Sequence, residues 1–149
     1  MALNILVING ANLNSLGKRE PEIYGEQTLV DLEQMLRKKA SETGTSIDFF
    51  QSNCEGAIID AIYSACDKID FMIINAGAYS HYSIAIRDAI SAVNYPIIEV
   101  HISNIYAREK FRAKSVISPV CKGVISGFGL YGYIMAFDAG AELIQKSQK

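Results

Sequence analysis

Strand-length apolar runs alternating with helix-length amphipathic segments constrain this chain more than any other feature. LNILVIN (3–9) is an apolar run that leads into Asn-Gly, the pattern of a strand buried on both faces. DFMIINAG (70–77) and PIIEVHIS (96–103) repeat that pattern, and SIDFFQS (46–52) and GVISG (123–127) read as further strands. Helical segments lie between them. In TLVDLEQMLRKKASETG (28–44), Leu29, Leu32 and Leu36 share a face, Thr28 is placed to cap the start, Asp31 supports the first turn and Gly44 stops the helix. A second helix carries Ile58, Ile59, Ile62 and Cys66 on its inner side. A third spans 83–93 and turns Ile86, Ala89, Ile90 and Val93 inward, and a last one runs from about Gly129 into the tail. Repeated strand–helix units require crossover connections, hence a parallel sheet with helices on both faces. Five such strands predict an α/β, flavodoxin-like doubly wound fold in one domain over residues 1–149.

Composition narrows the function classes. At 149 residues, half of them hydrophobic and 20% charged, the chain can build one good core and is not disordered. A net charge of −2 and the lack of any basic run give no reason to expect nucleic acid or an anionic membrane as partner. The first apolar run is too short to span a bilayer and lacks the flanks of a leader, so a cytoplasmic location is expected. Cys54, Cys66 and Cys121 are odd in number, widely spaced and form no C-x-x-C pair. Plain reduced thiols are expected, with no disulfide framework and no metal site.

In doubly wound sheets ligands bind beyond the carboxyl ends of the strands. Those ends carry NGANLN (9–14), QSNCEG (51–56), NAGAYSH (75–81) and HISNIYAR (101–108). Polar and glycine-rich chemistry therefore collects at one edge of the sheet. GFGLYG (127–132) fits the dinucleotide pattern G-x-G-x-x-G, follows a strand and opens a helix. A dinucleotide site also needs a later strand bearing an acidic residue, and the chain ends before one can form. The glycines are instead expected to let the last helix pack closely on the sheet. No phosphate-binding P-loop pattern is present.

Several side chains at that edge could carry chemistry. His101 follows Glu99 by two in a strand, so both project to the same side, where the carboxylate would orient the imidazole and favour its protonated form. Spacing alone also allows a structural histidine at a strand end. His81 lies near a helix start, where the dipole disfavours a cation and a neutral, hydrogen-bonding ring is expected. Arg87 and Asp88, side by side, would ordinarily be a solvated helix face. Arg108 and Arg112 are four apart and share a face if that segment is helical; they could grip a carboxylate or hydroxyls, or be surface charges. KREPEIYG (18–25) suits neither a buried strand nor a helix and reads as a mobile polar loop that brings Arg19 close to Tyr24. A tyrosine with an ordinary pKa of about 10 is a poor base at neutral pH, but a guanidinium neighbour stabilises its phenolate. An exposed tyrosine without a role is the alternative.

Together ILVINGANLNSLGKREPEIYG, FFQSNCEG, INAGAYSHYSIAIRDA and IIEVHISNIYAREKFR resemble the type II 3-dehydroquinate dehydratases, in order and spacing over nearly the whole chain. The resemblance implies the flavodoxin-like fold, no metal or organic cofactor, and a homo-dodecamer built as a tetramer of trimers. It implies dehydration of 3-dehydroquinate to 3-dehydroshikimate without a Schiff base. By position, Tyr24 resembles the base that takes a proton beside the substrate ketone, held as phenolate by Arg19 and Arg108, with Asn12 stabilising the enolate. His101 resembles the acid, with Glu99 as its orienter. Asn75 and the amides of Ile102 and Ser103 would bind the substrate carboxylate, while His81 and Arg112 hold ring hydroxyls. Asp88 matches a residue that reaches a neighbouring subunit's site. KREPEIYG then reads as a lid, near residues 18–26, that carries the base over bound substrate. Ala11 and Ala76 stand where the family often has proline, Ser15 where it often has leucine, and Cys54 where it often has histidine. A flavin or nucleotide binder would retain cofactor on purification, and a receiver domain would want clustered acids where this chain has Asn9, Asn12 and Asn14.

Overall fold

A computed structural model describes residues 2–149. The strands β1 (Asn4–Asn9), β2 (Ser46–Gln51), β3 (Phe71–Asn75), β4 (Ile97–His101) and β5 (Gly123–Ser126) pair in parallel in the order β2-β1-β3-β4-β5. The helices are α1 (Pro21–Tyr24), α2 (Leu29–Thr43), α3 (Glu55–Ser64), α4 (Ile84–Ala92) and α5 (Tyr131–Ser147). Every strand and long helix expected from the sequence forms, whereas α1 lies in a stretch expected to be loop.

Strand periodicity places the core in two layers. Ile5, Val7, Phe71 and Ile73 face one way and pack under Leu32 and Leu36 of α2 and Phe137 of α5. Their neighbours Ile8, Met72 and Ile74 face the other way, against Ile58 and Ile62 of α3 and Ile86 and Ile90 of α4. Alternate residues therefore feed opposite layers, and the interior positions of the central strands β1 and β3 are apolar. The start of α2 is closed as its sequence suggests: Thr28 Oγ1 accepts from Asp31 N, and the Asp31 carboxylate accepts from Thr28 N. Gly44 ends it in the left-handed region, at φ 66°. Among the described residues no helix is long and apolar enough to cross a membrane.

The glycine-rich segment that leads into α5 and forms its first residues divides its labour differently from the expectation. Gly127 and Gly129 sit at φ +99° and +61° and shape the turn, and only Gly132 meets the sheet, against Val100 and Ile125. The tightest approach is made further along by Gly140, where an added Cβ would lie 2.1 Å from the Phe71 ring. Phe71 is fully buried in the central strand β3, so it has little room to yield. Gly140→Ala should therefore destabilise the protein by about 1–3 kcal/mol despite alanine's better helix propensity. At fixed protein concentration that corresponds to a melting temperature lower by about 3–10 °C. An unchanged melting curve would mean that α5 can slide off the sheet without cost.

Candidate active site

The strand order reverses between β1 and β3, and the loops leaving these two strands touch through their backbones. Gly10 N donates to Asn75 O at 2.7 Å. A Cβ on Gly10 would stand 2.4 Å from Ala76 O, and one on Gly77, at φ +63°, would stand 2.7 Å from Ala11 O. Only glycine permits this approach. The crevice is the switch point at which doubly wound sheets bind ligands. A cavity of about 100 Å³ opens there, with room for a small ring but not for a nucleotide.

Of the residues to which the resemblance gives a role in the site, all but Glu99 and Asp88 line this cavity. From the β1 side come Asn12, Arg19 and Tyr24; from the β3 side, Asn75 and His81; from the β4 side, His101 to Ser103 with Arg108 and Arg112. Its charged lining is cationic, and among the described residues no carboxylate faces it. Such a cavity suits a small, oxygen-rich anion.

Asn12 adopts a left-handed conformation at φ 69°, tolerable for asparagine, and its N–H donates to Asn53 Oδ1 at 2.9 Å. The stretch expected to be loop contains one helical turn, α1. Pro21 occupies its first position, where a fixed φ helps and a missing N–H costs nothing. Glu20, left-handed at φ 42°, and Gly25, at φ 81°, turn the chain sharply on either side. The turn lays Tyr24 between two arginines, with the Arg19 Cζ 4.5 Å and the Arg108 Cζ 5.0 Å from its ring centroid. Arg19 also meets Glu20 at 3.2 Å in a solvent-exposed pair that contributes little.

His101 ends β4 with its Nε2 hydrogen-bonded to Glu99 Oε2, as the spacing of two implies. Glu99 is completely buried and also accepts from Ser115 Oγ, at 2.7 Å, and from Ser118 Oγ. Burial by itself pushes the Glu99 carboxyl up, but the bonds from His101, Ser118 and Ser115 outweigh it and hold the group below the usual carboxylate range. Glu99 is thus a carboxylate at neutral pH, lying behind the imidazole and out of the cavity.

His81 stacks beside His101, with ring centroids 6.0 Å apart. Its Nδ1 donates to Lys114 O at 2.8 Å, which leaves Nε2 as the acceptor of a neutral ring. Burial foremost, with the nearby charges of His101 and Arg112, pushes its pKa below the ordinary histidine value. The neutral state matches the expectation; the main cause is burial.

Arg108 and Arg112 do not share a helical face. Ile105–Ala107 and Lys110–Arg112 form separate short turns, and extended backbone at Arg108 breaks any continuous helix between them. Both side chains still reach the cavity. Arg108 Nη1 donates to Ser103 Oγ at 3.2 Å, and Arg112 Nε donates to Glu109 Oε2 at 2.9 Å.

Asn75 is held by partners that the sequence reading missed. Its Nδ2 donates to Tyr133 Oη at 2.9 Å, Tyr133 Oη donates to Asn9 Oδ1 at 2.6 Å, and its Oδ1 accepts from Gly77 N at 3.1 Å. A tyrosine on the buried face of α5 must find a partner for its hydroxyl, and that requirement was the available signal. Ser115 and Ser118 carried no comparable signal. Asp88 is exposed on α4, away from this cavity. Cys54 precedes α3, is exposed and does not line the cavity either.

Known proteins share both the sequence and the fold. Residues 3–141 match the family model described as dehydroquinase class II. A 3-dehydroquinate dehydratase of Caldicellulosiruptor bescii is 58% identical over 141 residues, covering 94% of this chain and 97% of the relative. The crystal structure of a type II dehydroquinase from Butyrivibrio crossotus superposes with a TM-score of 0.93 at 50% identity, covering 94% of this chain and 98% of that one. A type II dehydroquinase from Propionibacterium acnes gives a TM-score of 0.90 at 44% identity, over 97% of this chain and 98% of the other.

Proposed function

The chain belongs to the class II dehydroquinase family, and we propose that it eliminates water from 3-dehydroquinate, giving 3-dehydroshikimate, with Tyr24 as base and His101 as acid. One observation supports these roles above all. A tyrosine flanked by two guanidiniums and a histidine backed by a buried carboxylate line the same small cationic cavity.

Tyr24, as phenolate, takes the proton from the carbon between the ketone and the carbon bearing the departing hydroxyl. Arg19 and Arg108 supply the positive charge that an anionic phenolic oxygen needs. The enolate that results carries charge on the former ketone oxygen and requires preorganised donors, the task of Asn12. Hydroxide leaves poorly, so His101 protonates it as the C–O bond breaks, and the anti elimination is complete. Asn75 and the backbone amides of Ile102 and Ser103 bind the substrate carboxylate, while His81 and Arg112 hold ring hydroxyls. The neutral His81 ring suits that duty, since its Nε2 can accept from a hydroxyl. Loss of water changes no oxidation state, so these side chains suffice without a cofactor.

The segment 18–26 acts as a lid, since Tyr24 rides on a single helical turn set between Glu20 and Gly25, both at positive φ, with Arg19 just ahead of it. The subunits assemble as a homo-dodecamer, a tetramer of trimers, in the cytoplasm. Large apolar side chains such as Tyr82, Ile84, Phe111 and Phe128 are more than half exposed and await cover. Asp88 would then serve a neighbouring subunit's site; a sizing column reads the assembly directly.

Added 3-dehydroquinate should yield the conjugated enone, read as rising ultraviolet absorbance. Borohydride should trap no covalent adduct during turnover. A trapped adduct would replace this mechanism with one that passes through a Schiff base.

A further inference from the structure

Glu99 is the one carboxylate buried among the described residues. Burying a charge is costly unless donors satisfy it. Here both oxygens are occupied: Oε2 by His101 Nε2 and Ser115 Oγ, and Oε1 by Ser118 Oγ. The Ser115 hydroxyl also accepts from Ser118 N at 3.3 Å, so its single proton is aimed at Glu99. Neither serine lines the cavity.

The segment that carries them is firmly anchored. Ile117 is fully buried, Val116 N donates to Ser80 O at 2.7 Å, and Val116 O accepts from Arg87 Nη1 at 2.9 Å. The same segment offers Lys114 O to His81 and begins at Arg112, which lines the cavity. One short strap thus touches both Glu99 and His81 on the acid side of the site.

We infer that Ser115 and Ser118 are positioning residues for the acid step: their hydroxyls hold Glu99 as an oriented carboxylate, which pins His101 Nε2 and leaves Nδ1 for the departing hydroxyl. The inference rests on the elimination proposed above. In that step the Nδ1–H bond breaks and its proton passes to the leaving oxygen. The C–O bond cleaves, water departs, and the enolate electron pair becomes the new C=C bond. His101 is left neutral, its Nε2–H still on Glu99. Without the serines the carboxylate is free to turn or to take a proton, and the imidazole loses its orienting anion. Tyr24, which makes no contact with this network, keeps its geometry.

The test separates the two halves of the reaction. Ser115→Ala, Ser118→Ala and the double variant are assayed for kcat and KM on 3-dehydroquinate, and for exchange of the substrate's acidic carbon-bound hydrogen in deuterium oxide. The double variant should lose about tenfold or more in kcat, with KM within about twofold of wild type. Exchange into recovered substrate should not slow. Ser115→Thr and Ser118→Thr, which keep the hydroxyl, should restore most of the loss. Should the double variant fail to fold, the single variants carry the same comparison, each about threefold down in kcat. Unchanged kcat, or exchange and dehydration falling together, would overturn the role. A wild-type protein inert toward 3-dehydroquinate would instead sink the elimination reading, and this inference with it.

Discussion

Tyr24→Phe is expected to lower kcat on 3-dehydroquinate by about 10³-fold or more, with KM within a few-fold of wild type. Phenylalanine keeps the ring, so the stacking of Arg19 at 4.5 Å and Arg108 at 5.0 Å persists, and α1 has no reason to unfold. Only the oxygen is removed. Substrate contacts assigned to Asn75, His81 and Arg112 are untouched, which is why binding should survive. If Tyr24 is the base, no enolate forms, and exchange of the carbon-bound hydrogen with deuterium oxide must disappear together with dehydration. A variant retaining more than about a tenth of the wild-type kcat would place the base elsewhere. Melting curves that coincide with wild type would attribute the loss to chemistry rather than to a collapsed lid.

Much of this site is visible in the sequence because the fold concentrates polar residues where strands end. A central parallel strand has no solvent face, so LNILVIN and FMIIN read as apolar runs, and the asparagine that ends each stands where the crevice begins. Glu99 and His101 were legible because a spacing of two in a strand fixes a shared face. Arg108 and Arg112 were judged by a helical spacing that the backbone does not follow, yet the cavity collects both by another route. Contacts across large separations were not legible at all. Tyr133 meets Asn9 across 124 residues, and Ser118 meets Glu99 across 19. No local pattern encodes them, since a serine in a loop looks alike whether it caps, solvates or braces a carboxylate. The helical turn at Pro21–Tyr24 was missed for a different reason. It is four residues long, too short for periodicity, and depends on an unusual left-handed Glu20.

His101→Ala should cut dehydration by about 10²–10⁴-fold while leaving proton abstraction in place. The two steps make different demands. Forming the enolate needs the base, the guanidiniums and donors at the ketone oxygen, none of which His101 supplies. Expelling hydroxide needs a proton at the leaving oxygen, and the cavity holds no second group suited to deliver it: His81 is kept neutral by burial, with its Nδ1 proton committed to Lys114 O. The enolate formed in the variant should therefore return to substrate more often than it goes forward. Substrate recovered from deuterium oxide should carry deuterium at the acidic carbon well before product accumulates, and mass spectrometry reads that directly. The surviving Glu99, stripped of its imidazole but still braced by Ser115 and Ser118, lies behind the cavity wall and cannot substitute. If exchange vanishes along with dehydration, the departure of the hydroxyl is not separable from loss of the proton, and the division of labour between phenol and imidazole fails.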